Sequence, residues 1–287
     1  MPDEAAQTPI LSVRNLSMKF PVRKGIFGRS SSVVTAVKNV SFDVMEGETF
    51  GIVGESGSGK TTTGRCIMRV LDPTEGSIRF QSKTLGEVDL AALGKEELRT
   101  VWREIRMIFQ DPQSSLNPRL PIVEIVGQCL KANGLASGRE VSDRVGKLLE
   151  DVGLRPEMMQ RYPGAFSGGQ RQRIGIARAL APEPRLVVAD EAVSALDVSI
   201  QAQTLNLLSD LQGEYGLTYV FIAHDLAVVE HICDRIAVMY LGEIVELADK
   251  KTLFASPQHP YTRQLLSAVP VSDPRQRKRR GKVSAGA

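Results

Sequence analysis

Short apolar runs rich in Val, Ile and Phe alternate along the chain with stretches in which apolar residues return every three or four positions. That alternation predicts strands and helices interleaved in an α/β sheet. Residues Thr49 to Val53, carrying Phe50, Ile52 and Val53, read as a strand that stops at the glycines beginning with Gly54. A helix is predicted from about Lys60 to Leu71, burying Cys66, Ile67, Val70 and Leu71 and ending before Asp72-Pro73. Between about Leu120 and Arg161 the strand-like runs disappear, and Val141, Val145, Leu148, Leu149 and Val152 recur at helical spacing ahead of Gly153, placed as a C-terminal cap. This reads as a helical insert. Strand-like runs resume at Leu186 to Ala189 and Thr218 to Ala223, and Arg235 to Tyr240 with Glu243 to Glu246 predict a hairpin around Leu241-Gly242. Beyond about Asp249 the prolines 257, 260, 270 and 274 mark an appendix, and no internal repeat is seen.

Composition narrows the class. The 287 residues are 42% hydrophobic and 24% charged, an ordinary globular balance. Uninterrupted apolar runs such as Tyr219 to Ala223 reach about five residues against the roughly 20 needed to cross a bilayer, so a soluble chain is expected. Asp3 and Glu4 stand where a secretory signal would carry lysines, so no export is expected. Cys66, Cys129 and Cys233 suit neither a disulfide framework nor a metal cluster, and point to a reducing, cytosolic compartment. Arg275, Arg277, Lys278, Arg279, Arg280 and Lys282 carry six positive charges, and removing them from the net +3 leaves −3 for the rest. That distribution argues against a basic nucleic-acid face on the folded body. The basic tail reads either as a solvated terminus or as a contact for anionic lipid headgroups.

The strongest chemical signal is Gly54-Glu55-Ser56-Gly57-Ser58-Gly59-Lys60-Thr61, which fits G-x-x-x-x-G-K-[ST] between a predicted strand and a predicted helix. Glycines let successive N–H groups face phosphate oxygens, Lys60 can reach the β and γ phosphates, and the Thr61 hydroxyl can ligate Mg²⁺, with Thr62 beside it. Such a loop needs an acid to hold the metal. Asp190-Glu191 follows the apolar run Leu186 to Ala189, so Asp190 can reach the Mg²⁺ shell and Glu191 can orient or deprotonate an attacking water. A third segment, Phe166-Ser167-Gly168-Gly169-Gln170, opens a helix with Ile174, Ala177 and Leu180 on one face. Ser167 and Gln170 have capping-box spacing, whereas the two glycines leave the helix N-terminus open to an anion.

That third segment resembles the signature motif of ATP-binding cassette proteins, with Phe166 where Leu is usual. The resemblance runs over nearly the whole chain, because the other motifs follow in order. Gln110 resembles the glutamine loop that touches Mg²⁺ and water, Ser194-Ala195-Leu196-Asp197 the segment at the dimer interface, and His224 the switch histidine near the γ-phosphate. Phe20 resembles the aromatic that stacks on adenine, with Phe27 as competitor. The resemblance implies a P-loop α/β core over 1–110 and 166–246 with an N-terminal antiparallel β portion. It also implies a helical subdomain over 111–165 and an extension over 247–287. It implies ATP and Mg²⁺ as cofactors. Two cassettes would pair head to tail, each ATP lying between the phosphate loop of one and Ser167, Gly168, Gly169 and Gln170 of the other.

Only 56 residues separate Gln110 from Ser167, too few for the coiled-coil insert of repair and chromosome ATPases, and the chain carries one such head and no membrane helices. A separate importer subunit remains. Residues 109–118, 190–198 and 257–262 resemble the oligopeptide and dipeptide importer group, whose members also serve nickel, glutathione and other small solutes. No cysteine follows Cys233, so the iron–sulfur cluster of some members is not expected. The implied partners are two integral membrane permease subunits, a second ABC ATPase subunit, either a paralogue or a second copy, and indirectly an external solute-binding protein. No nucleic acid is expected, and the implied place is the cytoplasmic face of the inner membrane. The alternative from another class is a soluble regulatory or nucleic-acid-linked ATPase with the same head.

Overall fold

The computed structural model describes residues 8–24, 30–111 and 115–268, and their strands form two sheets. Strands β1 (Leu11–Lys24) and β2 (Ser30–Val44) pair antiparallel, β3 (Thr49–Val53) belongs to the second sheet, and β4 (Glu75–Ser82) and β5 (Gly86–Asp89) return to the first. Its order is β2-β1-β4-β5, the antiparallel N-terminal portion. The sequence dictates its two faces, since Val40, Phe42 and Val44 are buried while Ser41 is exposed, and Ile78 and Phe80 are buried while Arg79 is exposed.

In the second sheet, β6 (Ile105–Ile108), β7 (Leu186–Asp190), β8 (Thr218–Ala223) and β9 (Arg235–Tyr240) lie parallel with β3, and β10 (Glu243–Asp249) adds an antiparallel edge. The order is β10-β9-β3-β8-β7-β6. Strands β3, β7 and β8 are buried at every position, which is why they read as continuous apolar runs. Alternate side chains serve two cores. Val188, Val220 and Ile222 join the core shared with the first sheet, while Val187, Ala189, Tyr219 and Phe221 join the core under the helices.

The predicted hairpin is present, extended to Asp249, and Leu241 and Gly242 both take positive φ (48° and 90°) as a two-residue turn of this hand requires. Helix α1 (Lys60–Ile67) is shorter than the sequence predicts. Arg69 turns left-handed at φ 54°, and the N–H groups of Val70 and Leu71 both return to the Arg65 carbonyl, closing the helix. Val70 is consequently 62% exposed and not buried. Helix α2 (Lys95–Glu104) precedes β6. The insert holds α3 (Ile122–Ala132) and α4 (Arg139–Asp151), which cross so closely that a Cβ on Gly127 would lie 2.6 Å from Val141. Gly153 caps α4 at φ 70°, as its position predicts. Helices α5 (Gly168–Leu180), α6 (Val198–Tyr215) and α7 (Leu226–Ile232) cover the other core. The appendix folds into α8 (Lys250–Ala255) and α9 (Pro260–Ala268). No helix among the described residues is long and apolar enough to cross a membrane.

Candidate functional site

Strand register assembles the site. Val53 pairs with Ala223, Ile222 with Asp190 and Ala189 with Ile108, so the residues that follow β3, β8, β7 and β6 leave the sheet along one edge. Ligands of parallel sheets gather outside that edge. The residues delivered there are the loop from Gly54 to Lys60, His224, Asp190 with Glu191, and Gln110.

The loop wraps the start of α1, and its glycines are required by space as well as conformation. Gly54 has φ 153° and a Cβ there would lie 2.1 Å from the Met239 carbonyl oxygen; Gly59 has φ 105° and a Cβ would lie 2.3 Å from that of Ala36. Gly59 stands at the N-cap with no side chain to offer, so the first N–H groups of α1 have no side-chain cap. The helix dipole adds positive potential at the same end. Lys60 is only 3% exposed, and its Nζ donates to the carbonyl oxygens of Gly54 at 2.7 Å and Glu55 at 2.8 Å. No carboxylate pairs with it among the described residues. Burial lowers its pKa, and the nearby charges of Glu191, Asp190 and Glu55 oppose that shift. The buried Ser58 hydroxyl also lacks a partner among the described residues. A buried cation, uncapped helical N–H groups and an orphan hydroxyl stand together at this loop, a set that fits a nucleotide's phosphates.

Thr61 and Asp190 meet here, the hydroxyl donating to Asp190 Oδ1 at 2.9 Å. Burial pushes the Asp190 carboxyl above its usual range; the Thr61 hydroxyl, Arg65 and Lys60 oppose this, and Glu191 adds to it. Two hard oxygen donors side by side fit the Mg²⁺ that the sequence implies. Glu191 is held in an uncommon backbone region at φ 48°. Its N–H donates to the Ile222 carbonyl at 3.0 Å and its carbonyl accepts from Ser194 Oγ at 2.9 Å, so the strained turn is fixed from both sides. Glu191 Oε2 accepts from Gln110 Nε2 at 2.9 Å and lies 3.3 Å from His224 Nδ1. The structure thus brings Lys60, Thr61, Asp190, Glu191, Gln110 and His224 into one cluster, with Glu55, Ser56 and Gly57 exposed on the loop and Thr62 half-buried behind it.

The helix end at Ser167 is separate. No hydrogen bond or ion pair among the described residues joins Ser167, Gly168, Gly169 or Gln170 to that loop. The capping box forms: Ser167 Oγ accepts from the Gln170 N–H at 3.3 Å, and Gln170 Oε1 accepts from the Ser167 N–H at 3.0 Å. Gly168 is exposed beside it, and a Cβ on Gly169 would lie 2.7 Å from Ile200. Asp197 is exposed at the N-cap of α6 and makes no side-chain cap there; the next residue, Val198, is 83% exposed. Phe20 pairs with Val34 and is half-buried against the core shared with the first sheet. Phe27 and the basic tail lie outside the described residues.

Sequence reasoning missed two supports of the loop. The Gly242 N–H of the β9–β10 hairpin donates to the Ser58 carbonyl at 3.0 Å, and the Glu55 N–H donates to the Tyr261 hydroxyl oxygen at 3.0 Å. The one available signal for the second was that residues 257–262 form a shared family stretch.

Comparison with known proteins supplies the family. A family model described as ABC transporter matches residues 37–194, and one described as Oligopeptide/dipeptide transporter, C-terminal region, matches residues 245–286. The chain is 54% identical over 273 residues to the glutathione import ATP-binding protein GsiA of Salmonella typhimurium and 53% identical to that of Escherichia coli K12. These alignments take in 95% of this chain but 43% of each relative, so the chain spans less than half the length of these curated relatives. Among solved structures, a dimeric post-hydrolysis state of the ATP-binding cassette MJ0796 bound to ADP and Pi superposes with a TM-score of 0.72 at 31% identity, covering 84% of this chain and 98% of that one. The cbiO1 structure from Clostridium perfringens, part of the ABC transporter complex cbiONQ, gives 0.71 at 26% identity, covering 86% and 91%.

Proposed function

The chain belongs to the ABC transporter family, and from that premise we propose that it is the ATP-hydrolysing, energy-coupling subunit of an importer for short peptides. The observation that carries the nucleotide reading is Lys60, a cation 3% exposed whose partners among the described residues are two neutral carbonyl oxygens at an uncapped helix end. An ammonium so placed gains from an anionic partner, and its third donor can take a phosphate oxygen of ATP beside the two carbonyls. Thr61 and Asp190 would hold Mg²⁺, with Gln110 beside them, and the ion would neutralise charge on the β and γ phosphates.

Glu191 orients and deprotonates the attacking water. Its backbone is locked by Ile222 and Ser194, and Gln110 and His224 fix its Oε2. The Ser167 end of α5 serves a second cassette. The capping box uses the Ser167 hydroxyl and the Gln170 N–H, which leaves the N–H groups of Gly168 and Gly169, with the helix dipole, to meet the γ-phosphate of a partner's ATP. The Ser194 to Asp197 segment, with Ala195 and Asp197 exposed, and Val198 border that interface, and Phe20 stacks on the adenine. The working division is the nucleotide core at 1–110 and 166–246, the permease-facing helical subdomain at 111–165 and the extension at 247–287.

Short peptides are the solute class that unites the two comparisons: one matching family is described for oligopeptides and dipeptides, and the relatives named for glutathione import handle a tripeptide. The proposed assembly holds two permease subunits, a second ATPase subunit and an external binding protein, with this chain peripheral on the cytoplasmic face of the membrane. Binding of MgATP to purified parent and Lys60→Met chains tests the nucleotide reading. Loss of charge-assisted hydrogen bonds worth about 1.5–3 kcal/mol weakens affinity about ten- to 150-fold. Equal affinity in the two chains would refute it.

A further inference from the structure

One peptide group of the phosphate loop is clamped on both sides, and one clamp comes from the far end of the chain. The carbonyl of the Gly54–Glu55 peptide accepts from Lys60 Nζ at 2.7 Å, while its N–H donates to the Tyr261 hydroxyl oxygen at 3.0 Å, across 206 positions of sequence. The next carbonyl, that of Glu55, accepts from Lys60 at 2.8 Å. The orientation of both carbonyls toward the ammonium therefore depends on what holds the N–H behind them.

Tyr261 is well placed to hold it. The residue is 7% exposed, and its ring packs on Tyr240, the last residue of β9, with centroids 4.1 Å apart. The turn that delivers it is anchored by Glu246 of β10, whose carboxylate accepts from the N–H groups of Gln258 at 2.7 Å and His259 at 2.9 Å. The Tyr261 N–H donates to His259 Nδ1 at 3.2 Å. The hairpin joining β9 to β10 supports the loop from another side, through the Gly242 N–H on the Ser58 carbonyl. A continuous polar path thus runs from Glu246 through the 257–261 turn to the loop and Lys60.

We propose that Tyr261 is a positioning residue for the phosphate loop, and that through it the C-terminal region forms part of the nucleotide site. The inference rests on reading Lys60 as a phosphate ligand. With the hydroxyl present, the start of the loop is ordered before nucleotide arrives. Without it, the Glu55 N–H loses its partner, the Gly54–Glu55 peptide is free to turn, and binding must order it.

Tyr261→Phe keeps the ring on Tyr240 and removes only the hydroxyl. The Kd for MgATP should rise about five- to thirtyfold, the cost of ordering one residue's backbone on binding. kcat at saturating MgATP should stay within about twofold, because the bound loop is restored. The Glu55 amide should exchange with solvent faster in the nucleotide-free variant, and the thermal midpoint should move by no more than about 3 °C. A variant that matches a MgATP-binding parent in Kd overturns the positioning role and leaves the nucleotide reading standing, as does unchanged exchange at Glu55. A parent chain that fails to bind MgATP overturns both.

Discussion

Replacing Glu191 with glutamine separates chemistry from structure at the site. The side chain is 16% exposed, and its Oε2 takes both the Gln110 amide at 2.9 Å and the His224 ring at 3.3 Å. Glutamine keeps the length and an acceptor oxygen in the place of Oε2, so both contacts can survive without their charge, a cost of about 1 kcal/mol. The turn at φ 48° is held by the Glu191 N–H on Ile222 and by Ser194 on the Glu191 carbonyl, and neither needs the carboxylate. The variant should therefore fold. What it loses is the proposed base, typically a factor of about 10² to 10⁴ in rate, or about 3–5 kcal/mol of barrier. Chemistry thus outweighs the structural cost. Removing a negative charge also relieves repulsion toward the phosphates, so MgATP affinity should stay within about threefold or tighten. Steady-state phosphate release and equilibrium MgATP binding, measured on the same preparation, check both halves. Hydrolysis at half the parent rate or better would refute Glu191 as the base, and tenfold weaker binding would show that it holds the site together instead.

Ser167→Asp and Ser167→Arg divide the cap from the phosphate contact. Aspartate still accepts the Gln170 N–H and preserves helix stability but repels a γ-phosphate, whereas arginine also loses a cap worth about 1 kcal/mol. Both should bind MgATP in the isolated chain like the parent and lose cooperative hydrolysis; cooperative hydrolysis retained by the aspartate chain would leave Ser167 as a cap only. A pH effect follows from Glu246. Burial would raise its pKa, but the N–H groups of Gln258 and His259 with the neighbouring His259 hold it below the usual carboxylate value. Its folded pKa lies below its unfolded one, so its contribution to stability is present above about pH 4.3 and fades as the pH falls through the folded value. The thermal midpoint of Glu246→Gln should lie below the parent's at pH 7 and converge with it on acidification; a gap that widens below pH 4 would contradict the sign.

The central sheet was legible because β3, β7 and β8 are buried on both faces and so appear as unbroken apolar runs. The hairpin was legible because Leu241-Gly242 is a turn pair between two strand-like stretches, Arg235 to Tyr240 and Glu243 to Glu246. The end of α1 was not, since a left-handed Arg69 closes it with no glycine to mark the place. The loop and Asp190 could be placed from local pattern alone, a strand running into glycines and a strand running into acids. The meeting of Gln110 and His224 on one oxygen of Glu191 joins residues far apart in sequence, and only strand register brings them together. Tyr261 was hidden for the same reason, because no local pattern announces a hydroxyl that reaches back to Glu55.

The most direct test is the ATPase rate of the proposed complex, this chain with two permeases and a second ATPase subunit, in sealed vesicles with the proposed external binding protein. The account predicts slow hydrolysis by the chain alone, and a rate in the complex that rises when the binding protein is loaded with a short peptide or glutathione and stays low when it is empty. A rate indifferent to every loaded binding protein would contradict energy coupling by this chain, and stimulation by nickel alone would keep the importer and remove the peptide.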